Sequence, residues 1–457
     1  MPPRCPGAEV IDLPASSVAQ RRRCGAGAKI VFVSNTMLQS GIMRGELPKS
    51  VLHQTFASHG LTATLCGPPC NISRIQWHFA RHGGFAACVM IKYPDTPVHH
   101  FCRSRGALVI LDNVDNFRGF EAKTVFTESW QSVDAVLVQT REHGRWLADR
   151  FRMRAIVLPH PHGNLNGWGV SRGVRPRMRS VGLLLGDLWR NQPPRAEVDA
   201  LVAISCAVNV TMYTVASVNA RRPISYSRYT CPNATHGTQQ LVYAWRRERR
   251  VGEAPPPWLD DPFTLLPQVC ARQRSARTRV CQGASLNVTR TLGLLESEGE
   301  QDRERILLDT TKQRVFYDVP SLHHTIDVGL LWRPGNQMGV PFAVRNRPPT
   351  RMFWWWSHGV PVLGYPMVAY AEGAERAGYP REMLNVSRAI DLPATLCALQ
   401  DAQTRTCLRA AALRGSTLSS PQYSAHQLVA ALCEVATTCS TPAAGNATHP
   451  LAAIARR

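Results

Sequence analysis

The sequence has no apolar run long enough to cross a bilayer, and none of signal-peptide length near its first residue. The richest apolar stretch, residues 353–369, is interrupted by His358, Gly364 and two prolines. These absences predict a chain without a signal peptide or a transmembrane segment. They leave the localisation unknown, with the cytoplasm as the default unless other features favour the secretory pathway.

Lysine is scarce: among 53 basic residues it occurs only at positions 29, 49, 92, 123 and 312. The net charge of +21 therefore comes almost entirely from arginine. Such an excess is typical of a nucleic-acid surface, of attraction to nucleotide diphosphates or an anionic membrane, or of a coding bias. The arginines are scattered and do not alternate with aromatic residues along one stripe. This pattern disfavours nucleic-acid binding and leaves peripheral association with an anionic membrane open.

The sequence also lacks a metal-binding signature. Cys66 and Cys70 have the spacing C-x3-C, but no second pair of Cys or His stands at a matching distance. His160 and His162 lie two residues apart without an evident third ligand, and no D-x-D pair is placed to hold a cation and a diphosphate. We therefore expect no metal and no cofactor.

Cysteines and glycosylation sequons favour the secretory pathway. Disulfides are expected near the C-terminus if the chain is luminal, and the cysteines available there are Cys397, Cys407, Cys433 and Cys439. Six N-x-S/T sequons are more than so few asparagines would supply by chance, and they predict a glycoprotein. The candidate sites are Asn71, Asn209, Asn233, Asn287, Asn385 and Asn446.

Short apolar runs ended by turn residues recur through the first third of the chain. Such runs are typical of buried parallel strands, and stretches long enough for helices, such as 141–151, separate them. The pattern predicts a doubly wound domain over 29–165, with a flexible lead-in at 1–28 and a linker around 159–174. The runs are 29–35, 86–94, 107–113, 133–140 and 154–160.

A second series of strands begins at 180–187 and resumes at 324–335. It predicts a second doubly wound domain over 175–415, which includes an irregular insertion at about 219–304 where the periodicity fades. A C-terminal helix and tail are expected at 416–457. Two such domains of the α/β class would face each other across a central crevice.

The segment 347–372, RPPTRMFWWWSHGVPVLGYPMVAYAE, carries the clearest local signal. Two prolines restrict the backbone ahead of a short helix that Thr350 can cap. Free backbone N–H groups at that helix start, with Arg347 and Arg351 beside them, predict a site for a diphosphate. Gly359 allows the sharp exit from the helix into the next strand.

The order of strand IDVGLL, basic loop, helix, SHGVPV, strand and Glu resembles the C-terminal domain of GT-B fold glycosyltransferases, and 133–164 is similar to the end of their N-terminal domain. The resemblance implies two Rossmann-like domains and a hexosyltransferase-like enzyme. Such an enzyme moves a sugar from a nucleotide-sugar donor to a carbohydrate, lipid or protein acceptor. It also implies that Gly359 and Glu372 contact the donor nucleotide or sugar.

The chain departs from this family at two positions. Retaining members carry a pair of glutamates where this sequence has Asn346 and Trp354. The departure keeps a second hypothesis open, a catalytically silent binding or scaffold protein of the same fold; a basic nucleic-acid or anionic-surface binder is the third. Trp354, Trp355 and Trp356 are interpreted as core packing rather than as stacking platforms for a base or sugar.

An inverting mechanism would need a base in the N-terminal domain, and no residue is singled out by position. The candidates by residue type alone are His53, His59 and His82. Asp112 and Asp115 end a predicted strand, where they would contact an acceptor or cap the following helix.

Overall fold

The computed structural model describes residues 9–12, 27–34, 41–57, 60–92, 95–113, 133–162, 173–187, 195–217, 225–273, 325–332 and 346–439. The chain divides into two compact units. The first comprises residues 1–161, 341–348 and 419–457, and the second comprises 162–340 and 349–418. Each unit has its own β-sheet with helices packed on it, so the predicted pair of Rossmann-like α/β domains is confirmed.

The first unit contains a seven-stranded sheet of order β1-β7-β6-β5-β4-β2-β3, in which all neighbouring strands are parallel. Four of these strands are buried along their whole length, as the apolar runs predicted. The strands are β1 (Val10–Asp12), β2 (Lys29–Ser34), β3 (Thr62–Cys66), β4 (Ala87–Ile91), β5 (Leu108–Asp112), β6 (Ala135–Val138) and β7 (Ala155–Val157).

Helices of the first unit begin at side chains that accept backbone hydrogen bonds. Asn71, Asp95 and Thr140 each cap a helix by accepting the N–H three residues later. A π-helical turn at Ile42–Glu46 leads directly into the first α-helix. The helices are α1 (Leu47–Phe56), α2 (Ile72–His82), α3 (Thr96–Ser104) and α4 (Arg141–Phe151).

Both ends of the chain contribute elements to the first unit: β1 (Val10–Asp12), inside the predicted lead-in, and the predicted C-terminal helix. The lead-in at 1–28 contains β1, which adds to the sheet by parallel pairing of Val10 with Ala155. Three residues are too few to show an apolar period, so this strand could not be read from the sequence. The C-terminal helix α12 (Pro421–Cys439) packs against α1 of the first unit, with the rings of Phe56 and His426 at 4.8 Å between centroids.

The second unit contains a five-stranded sheet of order β10-β9-β8-β11-β12. Only the edge strand β10 is antiparallel. The strands are β8 (Ser180–Asp187), β9 (Thr211–Ser217), β10 (Ser225–Arg228), β11 (Val328–Leu331) and β12 (Val362–Gly364). The helices are α5 (Arg195–Ala207), α6 (Ala234–Glu248), α7 (Pro262–Gln273), α8 (Thr350–Ser357), α9 (Val368–Ala377), α10 (Leu392–Ala398) and α11 (Ala402–Leu418).

The interval 219–304 is not irregular throughout, contrary to the prediction. Strand β10 and helices α6 and α7 occupy its described part, and they pack on the sheet and on α5. Only one narrow face of α6 is buried, at Gly237, Leu241 and Ala244. So few apolar positions among many Arg and Pro residues do not form a helical pattern that can be recognised in the sequence.

The three consecutive tryptophans of α8 lie in the core of the second unit, and their exposed fractions are 2%, 0% and 0%. Two strand glycines make room for them: a Cβ on Gly182 or Gly329 would lie within 2.7 Å of the Trp355 ring. A Cβ on Gly415 of α11 would lie 2.2 Å from the ring of Trp356. The interpretation of these residues as core packing is therefore confirmed.

Cysteine pairs link elements within each unit. Cys66 bonds to Cys70, which explains the C-x3-C spacing without a metal, and the second unit contains the pairs Cys206–Cys231 and Cys270–Cys397. Asparagines of the four described sequons are exposed, at positions 71, 209, 233 and 385. Asn287 and Asn446 lie outside the described residues. None of the helices in the described part of the chain has the length and apolar character of a membrane span.

Candidate functional site

The sheet of the second unit has a topological switch point between β8 and β11. From β8 the chain moves to β9 on one side and later returns to place β11 on the other side. Ligands of open α/β sheets bind outside the carboxyl ends of the strands at such a point, because the helices that follow the two strands diverge there. The residues that follow β8, β11 and β12 therefore define the candidate site of this unit.

Trp332 and Glu197 meet at this switch point. Trp332 follows β11 directly, and its indole Nε1 donates to Oε2 of Glu197 at 3.2 Å. Glu197 lies in the first turn of α5, the helix after β8, and its other oxygen accepts a hydrogen bond from Arg247 of α6. Trp332 and Glu197 are 1% and 2% exposed. The buried carboxylate thus fixes the indole ring and is balanced by a guanidinium.

Arg351 extends this network towards the start of α8. It is only 6% exposed, and its Nη1 donates to the carbonyl oxygen of Trp332 at 3.4 Å. Arg351 is therefore not a solvated surface residue. Its contact ties the guanidinium to the carboxyl end of β11, the edge where an anionic ligand of this fold would lie.

Helix α8 begins at Thr350, and the residue at its N-cap is Pro349, with no side-chain cap. The expectation that Thr350 caps the helix is wrong, because Thr350 is itself the first helical residue. The first intrahelical bond runs from the Phe353 N–H to the Pro349 carbonyl at 3.0 Å. The N–H groups before it have no acceptor within the helix and lie at the positive end of its dipole.

Tyr365 completes the group at the carboxyl ends of the strands. It follows β12, and its N–H donates to the carbonyl of Leu331 at 3.2 Å. Burial, together with the charge of Glu197, raises the pKa of the Tyr365 phenol. We call Glu197, Trp332, Arg351 and Tyr365, with the start of α8, the ligand edge of the second unit.

Other residues predicted to hold the donor lie in different places. Arg347 belongs to the segment 341–348, which is part of the first unit. Gly359 follows the far end of α8, where its φ of 68° allows the left-handed turn that ends the helix. It therefore lies about 12 Å from Thr350, the length of an eight-residue helix. Glu372 lies half-buried in the second turn of α9, the helix that follows β12.

In the first unit, Asp112 is bound to a buried arginine and is not available to an acceptor. Arg44 donates from Nε to Oδ2 at 2.7 Å and from Nη2 to Oδ1 at 2.9 Å. Burial raises the pKa of Asp112, and the Arg44 charge opposes that rise. The expectation that Asp112 contacts an acceptor is therefore wrong. The segment after it, whose helix Asp112 was alternatively expected to cap, lies outside the described residues. Asp115 lies outside the described residues.

The histidines named as candidate bases are poorly placed for catalysis. His53 is exposed in the last turn of α1, and His82 lies in the last turn of α2. Both turns lead into the amino ends of strands; Lys29, the first residue of β2, donates to the His82 carbonyl at 2.5 Å. Ligands of such sheets bind at the carboxyl ends of the strands, so His53 and His82 are not placed to act as the catalytic base. His59 lies outside the described residues.

A buried polar group lies instead at the carboxyl edge of the first sheet. Thr140 caps α4 by accepting the His143 N–H at 3.1 Å, and its hydroxyl donates to Oδ1 of Asn346. Nδ2 of Asn113 lies 3.4 Å from Nε2 of His143. The Oδ1 of Asn113 and both side-chain polar atoms of Gln139 lack hydrogen-bond partners among the described residues. Sequence patterns missed this group because its members come from three separate segments.

Two histidines at this edge are held neutral by burial. Burial lowers the pKa of His143 to about 3. It also lowers the pKa of His160 to about 3, with a further contribution from the Arg44 charge. His160 is held through Nδ1, 2.8 Å from the carbonyl oxygen of Pro161. Within the described residues, no group of three or more His, Cys, Asp or Glu side chains is arranged to hold a metal.

These low pKa values predict a loss of stability on mild acidification. The imidazole of an unfolded histidine has a pKa near 6.5, so below that pH the unfolded state binds more protons than the folded state. At about pH 5 each buried histidine therefore lowers the free energy of unfolding by about 2 kcal/mol relative to its value at neutral pH. Asp112 has the opposite sign, because its raised pKa favours the protonated folded form. Urea unfolding at about pH 5 and 7 should therefore show a smaller pH dependence for His143→Gln than for wild type.

The exposed His53 supplies the control for this measurement. His53→Gln should retain the wild-type pH dependence, because the exposed His53 on α1 lies outside the buried group around His143. An unchanged pH dependence in His143→Gln would contradict the assignment of a neutral buried imidazole at that position.

Comparison with known proteins finds likeness only at the level of structure. No protein-family model matches the chain, and no curated protein matches it in sequence. HepE of Anabaena with UDP and glucose bound has 11% identity and a TM-score of 0.42, over 90% of this chain and 100% of that one. Its complex with UDP-glucose has 10% identity and a TM-score of 0.43 over the same shares.

A variant of the O-GlcNAc transferase of Thermobaculum terrenum gives 14% identity and a TM-score of 0.41, over 95% of this chain and 72% of that one. All three scores are low. The two parallel sheets themselves, and not these likenesses, define the architecture of the chain.

Proposed function

We propose that the protein is a glycosyltransferase of the GT-B type, which transfers a sugar from a nucleotide-sugar donor. The observation that carries the proposal is the ligand edge, where the start of α8 and Arg351 meet Trp332 and Glu197 at the switch point of the second sheet. The segment that supplies α8 is also the one whose motif resembles the donor domain of that family.

The donor diphosphate is proposed to bind at Thr350 and Arg351, at the start of α8. Backbone N–H groups at a helix start bind phosphate oxygens, and the helix dipole favours their negative charge. The buried Glu197 acts as a positioning residue, since it holds Trp332, whose carbonyl in turn accepts from Arg351. Glu372, on the helix after β12, is proposed to contact the nucleotide ribose.

Transfer by such a site depends on positioning and on electrostatics. As the bond from the sugar to the diphosphate breaks, negative charge grows on the departing nucleoside diphosphate. Arg351 and the N–H groups of α8 would stabilise that charge in an environment with little water. In the first unit, Asn113 and Gln139 have buried amide atoms without partners in the described part of the chain, and we propose them in place of Asp112 as contacts for the acceptor.

A thermal-shift panel of nucleotides and nucleotide sugars tests the donor site. One nucleotide class should raise the melting temperature of the wild-type protein. The Kd should rise roughly 10- to 100-fold in Arg351→Met, because a charged hydrogen bond to phosphate contributes about 1.5–3 kcal/mol.

The matched control is Arg381→Met in the same unit, where an exposed arginine pairs with Glu375 at the surface. It should bind nucleotide as the wild type does. If no nucleotide or nucleotide sugar stabilises the protein, or if Arg351→Met binds as tightly as Arg381→Met, the donor site proposed here is wrong. The melting temperature of each variant without ligand reports any loss of folding separately.

A catalytically silent binding protein is the second candidate function, and two observations favour it. Trp354 and Asn346 stand where retaining relatives carry glutamates, and both are buried, at 2% and 0% exposure. Asn346 is held by Thr140, and Trp354 packs against His358 with ring centroids 4.6 Å apart. Neither side chain can contact a donor. Nucleotide binding without turnover of the bound donor, even with mixed acceptors, would support this function.

The secretory pathway is the compartment we propose. Disulfides in the described residues support it, among them Cys66–Cys70, Cys206–Cys231 and Cys270–Cys397, because such bonds persist in oxidising compartments. The exposed sequons support a glycoprotein. At Asn71 and Asn233 the side-chain oxygen caps a helix, which leaves the amide nitrogen, the atom that would carry a glycan, turned to solvent.

A further inference from the structure

A cavity of about 390 Å³ lies at the opposite edge of the second sheet from the ligand edge. Its walls are the segments that precede β8, β11 and β12, together with one face of α11. These segments are residues 173–175, 326–327 and 359–361, and they mark the amino ends of the strands. The volume is within the range of small-molecule sites and exceeds that of a phosphate ion.

Three arginines line this cavity: Arg175, Arg405 and Arg409. Arg405 and Arg409 lie four residues apart on α11 and therefore point to the same side of that helix. The lining includes one carboxylate, that of Asp327. Its Oδ2 accepts the backbone N–H groups of Arg179 and Ser180 at 2.7 and 3.1 Å and lies 3.6 Å from Nη1 of Arg175, so one carboxylate faces three guanidinium groups. Positive charge is therefore in excess at the cavity wall.

Arg405 is the most informative of the three, since a guanidinium is costly to bury without partners. It is 1% exposed, and its two terminal nitrogens donate to the carbonyls of Leu399, Gln400 and Arg175. Its Nε is buried and has no acceptor within the described part of the chain. All its hydrogen bonds go to neutral carbonyls, so its charge is not matched by a carboxylate in direct contact.

Burial lowers the pKa of Arg405, while the charges of Asp327 and Asp401 oppose that effect. Asp401 is engaged elsewhere, because it caps α11 by accepting the Thr404 N–H at 2.6 Å and its hydroxyl at 2.7 Å. The positive charge of the buried Arg405 guanidinium is therefore only partly balanced. An anion bound beside it would supply the missing negative charge.

The end of α8 also faces this edge, and a helix C-terminus would by itself repel an anion. Its last carbonyls are occupied, however. Those of Trp354, Trp355 and Trp356 accept hydrogen bonds from residues 357–360. The negative end of the helix is therefore covered by its own donors, and the arginines determine the sign of the local charge.

We infer that this cavity is a second binding site, specific for a phosphomonoester of about the size of a monosaccharide. The phosphate would take the guanidinium groups of Arg175, Arg405 and Arg409, which suit phosphate oxygens through their paired N–H donors. The neutral remainder of the ligand would lie against Ile326, Val360 and Pro361. The site is distinct from the ligand edge, since the two occupy opposite ends of the same strands.

Isothermal titration with glucose 6-phosphate, inorganic phosphate and glucose tests the inference. Glucose 6-phosphate should bind, inorganic phosphate should bind more weakly, and glucose should not bind. Arg175→Gln and Arg409→Gln should each weaken glucose 6-phosphate binding at least roughly 10-fold, as expected for loss of a charged contact to phosphate. Both changes avoid Arg405, whose substitution would uncap three carbonyls and endanger folding.

The controls separate this site from the donor site. Arg381→Gln should bind glucose 6-phosphate normally, and so should Arg351→Met, whereas nucleotide binding should be unaffected by Arg175→Gln. Absence of binding by both phosphates would overturn the inference. Binding that survives in the Arg175→Gln, Arg409→Gln double variant, or that is lost in Arg351→Met, would also overturn it, because the ligand would then lie elsewhere.

Discussion

Replacement of Arg44 by methionine is expected to lower the free energy of unfolding of the first unit by about 3–5 kcal/mol. Arg44 and Asp112 form a bidentate pair whose side chains are 2% and 3% exposed. Removing the arginine leaves a carboxylate buried at the end of β5 without its counter-charge. It also removes a donor to the Pro159 carbonyl, which follows β7. The loss should therefore reach three neighbouring segments at one edge of the sheet.

The double variant Arg44→Met, Asp112→Leu distinguishes two contributions to the free energy of unfolding: the cost of an unpaired buried carboxylate and the net contribution of the ion pair. It should recover most of the lost stability, because an apolar pair avoids the desolvation of both ions. Hydrogen exchange in β4, β5 and β6, read peptide by peptide, assigns the effect to the first unit. A loss below about 1 kcal/mol in the single variant would contradict a buried ion pair.

Loss of the disulfide between Cys270 and Cys397 is expected to destabilise the second unit by about 3–5 kcal/mol. The bond joins α7 to α10 across 127 positions of sequence, and closing so long a loop removes much conformational freedom from the unfolded chain. The variant Cys270→Ser, Cys397→Ser should unfold at a lower urea concentration.

The pair Cys66–Cys70 provides a matched comparison, because it spans only four positions. The chain-entropy account gives it a stabilisation of about 2 kcal/mol, so Cys66→Ser, Cys70→Ser should shift the urea midpoint less. Peptide mapping without reduction confirms which bonds are present in each variant. Equal shifts for the two double variants would show that loop length does not control the effect.

Strands β4, β5 and β6 were predictable because each is a short apolar run that is buried along its whole length. The runs at 86–94, 107–113 and 133–140 contain β4, β5 and β6, and all residues of these strands are buried. Helix α4 matches its predicted span, because its apolar residues recur on one face and Thr140 supplies a recognisable cap. The sequence was sufficient to predict an element wherever the apolar pattern and the cap of that element lie within its own residues.

The ligand edge was only partly predictable. Arg351 was found because it stands beside a helix start, but Glu197 and Trp332 are 135 positions apart and meet only after the sheet has formed. A tryptophan that directly follows a predicted strand was the one available signal. The choice of His53 and His82 as candidate bases rested on residue type alone. Residue type gives no information about which edge of a sheet a side chain occupies.

The chain path has a consequence for synthesis on the ribosome. Both the first and the last described elements, β1 and α12, belong to the first unit, while residues 162–340 and 349–418 form the second. Strand β1 and helix α1 are synthesised before the second unit, yet α12 can reach α1 only after residues 349–418 of that unit have been made. The second unit is therefore complete before the first. Ribosome-bound chains that stop before residue 421 should leave exposed the part of α1 that packs against α12, including the ring of Phe56.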